Sequence, residues 1–92
     1  MVYLIKPQLE AGREQVGKKG IIKDKSVHKE VIEKVIKYAQ EAGFKPLKLD
    51  HSPVKGTKGN IEFLIMLEKN TDTTISDEID IDAVVEAAHM EE

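Results

Sequence analysis

Apolar residues change their spacing several times along this chain, and each change marks an element. Val2-Tyr3-Leu4-Ile5 is a short apolar run that reads as a strand. Pro7 closes it, because proline cannot donate a ladder hydrogen bond. Residues 8 to 23 hold Gly12, Gly17 and Gly20 among charged residues and read as a long irregular connection. Connections of that length in small domains are often functional. From Val27 the apolar positions fall at 27, 31, 32, 35, 36 and 39, one stripe at helical period. Asp24 or Ser26 suits the helix start, and Gly43 suits the position just past its end. Phe44 to Leu49 then alternates, with Leu47 and Leu49 on one face and Lys48 on the other, and Pro46 restricts this strand to a sheet edge. After the turn-rich stretch Ser52 to Asn60, Phe63 to Leu67 is apolar without alternation, the pattern of an interior strand covered on both faces.

These elements imply an α/β fold built as strand–helix–strand–strand. A right-handed crossover leaves the first two strands parallel in direction. The nine-residue turn then returns the third antiparallel, inserted between them. The predicted sheet is mixed, in the order first, third, second. Lys6 at the end of the first strand, Ser52 at the end of the second and Glu62 at the start of the third then share one edge. Ligands of open α/β sheets bind outside the carboxyl ends of the parallel strands.

Residues 71–92 form a second region. Thr71 to Glu78 is polar and reads as mobile. Ile81, Val84, Val85 and Ala88 follow an i, i+3, i+4, i+7 pattern, with Asp80 and Asp82 at the start, which predicts a short amphipathic helix, docked or transient. Charge separates the regions: residues 1–70 hold all 14 Lys and Arg against nine Asp and Glu, a net of +5. Residues 71–92 hold eight Asp and Glu and no Lys or Arg, a net of −8, which brings the chain to −3. A basic body is compatible with a polyanion partner, although on charge alone lysines that only solubilise a small surface are the better reading.

The 92 residues suffice for one small core, and 40% apolar with 34% charged residues suits a soluble globular domain. The absence of cysteine excludes disulfides and zinc-thiolate sites and makes a cytoplasmic setting the default. No apolar run approaches the roughly 20 residues that span a bilayer, and the start lacks the pattern of a signal peptide. Candidate chemistry centres on Lys6 and Glu62. A lysine becomes a base at neutral pH only when burial or neighbours lower its pKa, and an adjacent carboxylate favours the charged form instead. From these residues alone an ordinary salt bridge at a sheet rim is the better reading. Gly17-Lys18-Lys19-Gly20 and Gly56-Thr57-Lys58-Gly59 match neither phosphate-loop pattern; a mobile basic loop touching a nucleic-acid backbone and plain turn chemistry are equally good readings of them. His28, His51 and His89 are dispersed without metal-ligand spacing, and the tail carboxylates lack the glycine and closing glutamate of a calcium loop.

The string Leu4-Ile5-Lys6-Pro7-Gln8-Leu9-Glu10-Ala11-Gly12-Arg13-Glu14-Gln15-Val16-Gly17-Lys18 is specific. Together with Gly20-Ile21-Ile22-Lys23-Asp24, Val27-His28, Ser52-Pro53-Val54-Lys55-Gly56 and Gly59-Asn60-Ile61-Glu62-Phe63-Leu64, it resembles one family over about residues 2 to 69. That family is the haemolysin-like (TlyA-type) ribosomal-RNA 2′-O-methyltransferases, relatives of the FtsJ-type ribose methyltransferases. The resemblance implies the C-terminal lobe of a Rossmann-like methyltransferase domain over residues 1–70, dependent on S-adenosyl-L-methionine in the complete enzyme. It also implies a Lys-Asp-Lys-Glu tetrad. Lys6 matches the second lysine, the base for the ribose 2′-hydroxyl, and Glu62 matches the glutamate that orients it. The cofactor-binding half, the first lysine and the aspartate have no counterpart here. Leu9 stands where phenylalanine is usual and Lys25 where proline often opens the helix, and the acidic tail lies beyond the family pattern.

The expectation is therefore a catalytic-lobe fragment, inactive alone and without its own cofactor. Ribosomal RNA is its partner in the complete enzyme, and Arg13, Lys18, Lys19, Lys55 and Lys58 are the RNA-contact candidates. The alternative is a stand-alone α/β interaction module with the tail as its working part. Membrane activity, which the haemolysin label suggests, finds no support in the apolar pattern. An uncovered first strand further predicts a homodimer through that strand, or a tail helix folded over it.

Overall fold

A computed structural model describes residues 1–10, 23–56 and 59–90. The element order is β1 (Val2–Ile5), α1 (Pro7–Glu10), α2 (Lys25–Glu41), β2 (Phe44–His51), β3 (Phe63–Lys69) and α3 (Ile81–Met90). The sheet order is β1-β3-β2, with β3 antiparallel to both neighbours, so β1 and β2 point the same way. The order and directions are those expected from the sequence, although the two flanking strands never touch and both ladders are antiparallel. Tyr3 and Leu49 both pair with Ile65, while Ile5 and His51 both pair with Phe63.

Local chemistry accounts for the element ends. The Asp24 carboxylate caps α2 by accepting from the Ser26 N–H at 2.8 Å, a contact worth about 1 kcal/mol. Gly43 ends the helix at φ +87°, a left-handed conformation that glycine adopts at no steric cost. Pro46 is buried within β2, which is an edge strand, and the register slips between Pro46 and Lys48. An edge strand spares the proline a second partner, and the slip absorbs its missing donor.

The predicted apolar stripe of α2 is the buried one, with Val31, Ile32, Val35, Ile36 and Ala39 facing the sheet. They join Ile5, Leu49, Ile61, Phe63, Ile65 and Leu67 in one core. Burying each of the larger of these side chains contributes roughly 1.5–3 kcal/mol. Polar residues are buried as well, His28, Asn60 and Glu62 among those described, and the helical periodicity did not select the first of them. His28 is fully buried, edge-on to the Phe63 ring at 5.5 Å, and its Nδ1 lies 2.8 Å from His89 Nε2 on α3. Two histidines that are dispersed in the sequence thus meet at the α2–α3 contact.

Three expectations need correction. Residues 8 to 10 are not irregular: Pro7 opens the four-residue helix α1, where its fixed φ and missing N–H suit the first helical position. The remainder of that connection lies outside the described residues. The strand β3 is not covered on both faces. Phe63, Ile65 and Leu67 are buried, but Leu64 is only half-buried and Met66 is 40% exposed, beside the exposed Val2 and Leu4. The described helices pack on one face only, which leaves the other apolar and open.

The tail differs as well. Gln40 donates to the Thr73 carbonyl, Lys45 reaches the Thr74 carbonyl and the Asp72 carboxylate, and the Ser76 N–H bonds the Pro46 carbonyl. This strap leads into α3, which is capped by Asp80 and places Val85 and Ala88 in the core. Lys25–Glu86 and Lys29–Asp82 ion pairs join α2 to α3. The helix is docked, but against α2 and β2 rather than over the outer edge of β1.

Hydrogen bonds from Thr74 and the Lys45 ammonium lower the pKa of Asp72 from 3.8 to about 2. A depressed carboxylate contributes stability that is present above its unfolded value and is lost as the pH falls through the folded one. The strap should therefore hold above about pH 4 and loosen on acidification toward pH 2. A carboxyl-carbon NMR titration gives the Asp72 midpoint directly, and Thr74→Ala should move it back toward the ordinary value.

Candidate active site

The site is built where β1 ends and β3 begins. Beyond the shared rung of Ile5, Phe63 and His51, the chain continues to Lys6, Glu62 and Ser52. The Ser52 N–H donates to the Glu62 carbonyl at 2.8 Å, which extends the β2–β3 pairing to this row. The three residues expected to share an edge therefore do.

Lys6 is fixed through its backbone. It caps α1, with its carbonyl accepting from the N–H groups of Leu9 and Glu10. Its own N–H donates to the Glu10 carboxylate at 3.1 Å, so the chain turns sharply at this residue with both backbone groups satisfied. The other oxygen of Glu10 accepts from the Tyr3 hydroxyl at 3.0 Å, and this bond pushes the Tyr3 phenol above its ordinary pKa. Among the described residues no hydrogen bond or ion pair holds the Lys6 ammonium.

Glu62 is 6% exposed, an unusual place for a carboxylate. Two neighbours create that place. The Gln8 side-chain amide on α1 donates to Glu62 Oε2 at 2.8 Å. On the other side lies Gly56, where a Cβ would collide with the Glu62 carboxyl group. The Gly56 N–H bonds the Asn60 carbonyl at 2.9 Å, which folds the turn back over the glutamate. A side chain at 56 would take the space of the carboxylate, which would have to move.

The structure therefore brings Lys6 and Glu62 to one edge but does not join them directly; the partner of Glu62 is Gln8. Neither Gln8 nor Gly56 is selected by the hydrophobic pattern. The signal for Gln8 was its place two residues after Lys6 in a turn started by proline, and that for Gly56 its place in the loop leading back to Glu62. The carbonyl oxygen of the Gln8 amide, Oε1, is buried and has no hydrogen-bond partner among the described residues. A buried acceptor left in this state costs about 1–3 kcal/mol.

Of the RNA-contact candidates, Lys55 is exposed beside Gly56. Arg13, Lys18, Lys19 and Lys58 lie outside the described residues. No group of three or more metal-ligating side chains occurs among the described residues, and no described helix is long and apolar enough to cross a membrane. An apolar cavity of about 270 Å³ lies between β1 and α2, lined by Met1, Tyr3, Val35, Tyr38, Phe44 and Leu67. It runs from the end of the sheet where Met1 bonds to Leu67 as far as Glu10, whose carboxylate accepts from the Lys6 N–H.

Comparison with known proteins places this geometry. Residues 1–69 match the model of the FtsJ-like methyltransferases. The chain is 44% identical over 89 residues to YqxC of Bacillus subtilis, covering 94% of this chain and 32% of that protein. It is 36% identical over 76 residues to the 16S/23S rRNA (cytidine-2′-O)-methyltransferase TlyA of Mycobacterium tuberculosis, covering 83% of this chain and 28% of that enzyme. A solved structure of a Streptococcus thermophilus protein named as a hemolysin superposes with a TM-score of 0.92 at 47% identity, over 98% of this chain and 32% of that one. That superposition takes in the tail, so α3 is shared with this relative, although the family model itself stops at residue 69. The chain thus spans about a third of the length of these relatives. Because the family model matches residues 1–69, well over half of the chain, the chain belongs to the FtsJ-like methyltransferases.

Proposed function

We propose that this chain is the C-terminal catalytic lobe of an S-adenosyl-L-methionine-dependent rRNA 2′-O-ribose methyltransferase. The observation that carries the reading is the common row of Lys6 and Glu62, with the lysine backbone locked by α1 and the glutamate buried under Gly56. In this role Lys6 Nζ accepts the proton of a ribose 2′-hydroxyl, which makes that oxygen a better nucleophile toward a methyl donor. Glu62 sets the direction from which the lysine approaches. Positioning of this kind supplies much of the rate enhancement in a reaction between two bound partners.

The described residues do not fit the cofactor itself. Among the described residues the Lys6 edge has no glycine-rich turn at a helix start to hold a nucleoside, and the cavity beside Glu10 is lined almost wholly by apolar side chains. Binding of S-adenosyl-L-methionine is assigned to the part of the enzyme outside this chain, and the rRNA is held jointly, with Lys55 as one backbone contact from this lobe. The working compartment of such an enzyme is the cytoplasm.

Calorimetry on the 92-residue chain should detect no S-adenosyl-L-methionine binding, and the chain alone should not methylate rRNA. A micromolar dissociation constant would reverse this assignment. In the complete enzyme, Lys6→Ala should lower turnover by at least about 10²-fold while leaving cofactor affinity unchanged, because a general base acts in the transition state. Gly56→Ala should drive Glu62 from its place and lower turnover by roughly tenfold or more, with the fold intact by circular dichroism.

The open face of the sheet carries a second proposal, that the isolated chain forms a two-fold dimer through β1. Val2 and Leu4 are exposed there, and β1 has no outer partner among the described residues. Unpaired strand edges recruit another chain. Sedimentation at micromolar concentration should give a dimer, and a charged residue at Leu4 should return it to monomer. A wild-type monomer would refute the proposal.

A further inference from the structure

In the family picture a glutamate orients the lysine directly. The geometry of this chain differs, because the described hydrogen bond of Glu62 comes from Gln8 and not from Lys6. We infer that Gln8 is a positioning residue that links Glu62 to Lys6, holding the carboxylate through Nε2 and receiving the lysine ammonium at Oε1. The inference rests on the general-base reading of Lys6 given above.

Three observations carry it. The first is the orientation of the amide. An ionised carboxylate only accepts hydrogen bonds, so the atom facing Glu62 Oε2 at 2.8 Å is the NH₂ group, which turns the carbonyl away from the glutamate. The second is that this carbonyl is buried and has no partner among the described residues. Buried acceptors are nearly always satisfied, so an orphan in a candidate site marks where a donor belongs. The third is proximity along the chain. Gln8 follows Lys6 by two residues, and both belong to the turn that Pro7 opens and Glu10 pins to the Lys6 N–H. The ammonium of Lys6, which has no partner among the described residues, is the donor carried by that same turn.

The arrangement answers a difficulty in the chemistry. A carboxylate in contact with the ammonium would orient it but would also favour its charged form, which opposes service as a base. An amide carbonyl between the two keeps the direction of the hydrogen bond while bringing a dipole, not a full charge, against the lysine. Glu62 then acts at one remove, by fixing which way the Gln8 amide points.

The test uses the complete methyltransferase with steady-state kinetics across pH. Gln8→Leu removes both ends of the link at similar volume and should lower kcat by about 10²-fold, with KM for RNA and for S-adenosyl-L-methionine changed less than about twofold. Gln8→Glu replaces the amide by a second carboxylate between Glu62 and Lys6, and with both acids next to the lysine the ascending limb of its kcat–pH profile should move about one unit toward higher pH. A merely structural glutamine would not move that limb. Gln8→Leu with more than about half of wild-type kcat, or a Gln8→Glu profile superimposable on wild type, overturns the link. Should Gln8→Leu fail to fold by thermal denaturation, the Gln8→Glu profile decides alone. Lys6→Ala run in parallel separates the two levels. If Lys6→Ala is inactive and both Gln8 variants behave as wild type, only the link is wrong; if Lys6→Ala stays active, the base assignment itself is wrong.

Discussion

Strand β3 is the constraint on which the rest of this structure depends. It is the last strand in the chain and the middle strand of the sheet, hydrogen-bonded to β1 on one side and β2 on the other. Phe63 and Ile65, both fully buried, hold one face of it against α2. A one-residue slip would exchange those two for Leu64 and Met66, so the register is set by the cost of exposing a phenylalanine. That register in turn puts Glu62 one position outside the strand, level with Lys6 and Ser52. The candidate site therefore follows from packing two residues away from it.

The burial of Glu62 works against stability. A carboxylate taken from water needs donors, and this one is served by a neutral side-chain amide rather than by a described cation. Gly56 and Gln8 close it in, and the same glutamine carries a buried carbonyl without a described partner. Two unfavourable polar burials within one turn of α1 are what a site tuned for chemistry, and not for stability, looks like. The core of Ile5, Phe63 and the α2 stripe lies directly beneath and holds the turn in place.

The charge division along the chain is partly spent inside the molecule. Lys25 and Lys29 of α2 face Glu86 and Asp82 of α3, and Lys45 of β2 holds Asp72 of the strap. Exposed pairs of this kind contribute little each. Together with Val85 and Ala88 they nevertheless fix where the tail lies, along α2 and β2. Basic residues that read as free to meet a polyanion are thereby reduced in number. The apolar face of Val2, Leu4 and Met66 remains the uncovered part of the fold, in keeping with a chain that spans about a third of the length of its relatives.

Sequence alone determined the features that depend on local chemistry and periodicity. The α2 stripe, its Asp24 cap and Gly43 stop, the edge character of the Pro46 strand and the sheet order all follow from spacing, proline and glycine, because each is a property of a few neighbouring residues. The row of Lys6 and Glu62 was also legible, since topology fixes which strand ends share an edge. Tertiary structure decided the rest. Only folding could show that His28 meets His89, that β3 is bare on its second face, that the tail packs on α2, and that Gln8 stands beside Glu62. The physical reason is common to all four. Each depends on which surfaces are brought together across 33 or more residues or on which surfaces are left bare, and neither is written in the period of a single element.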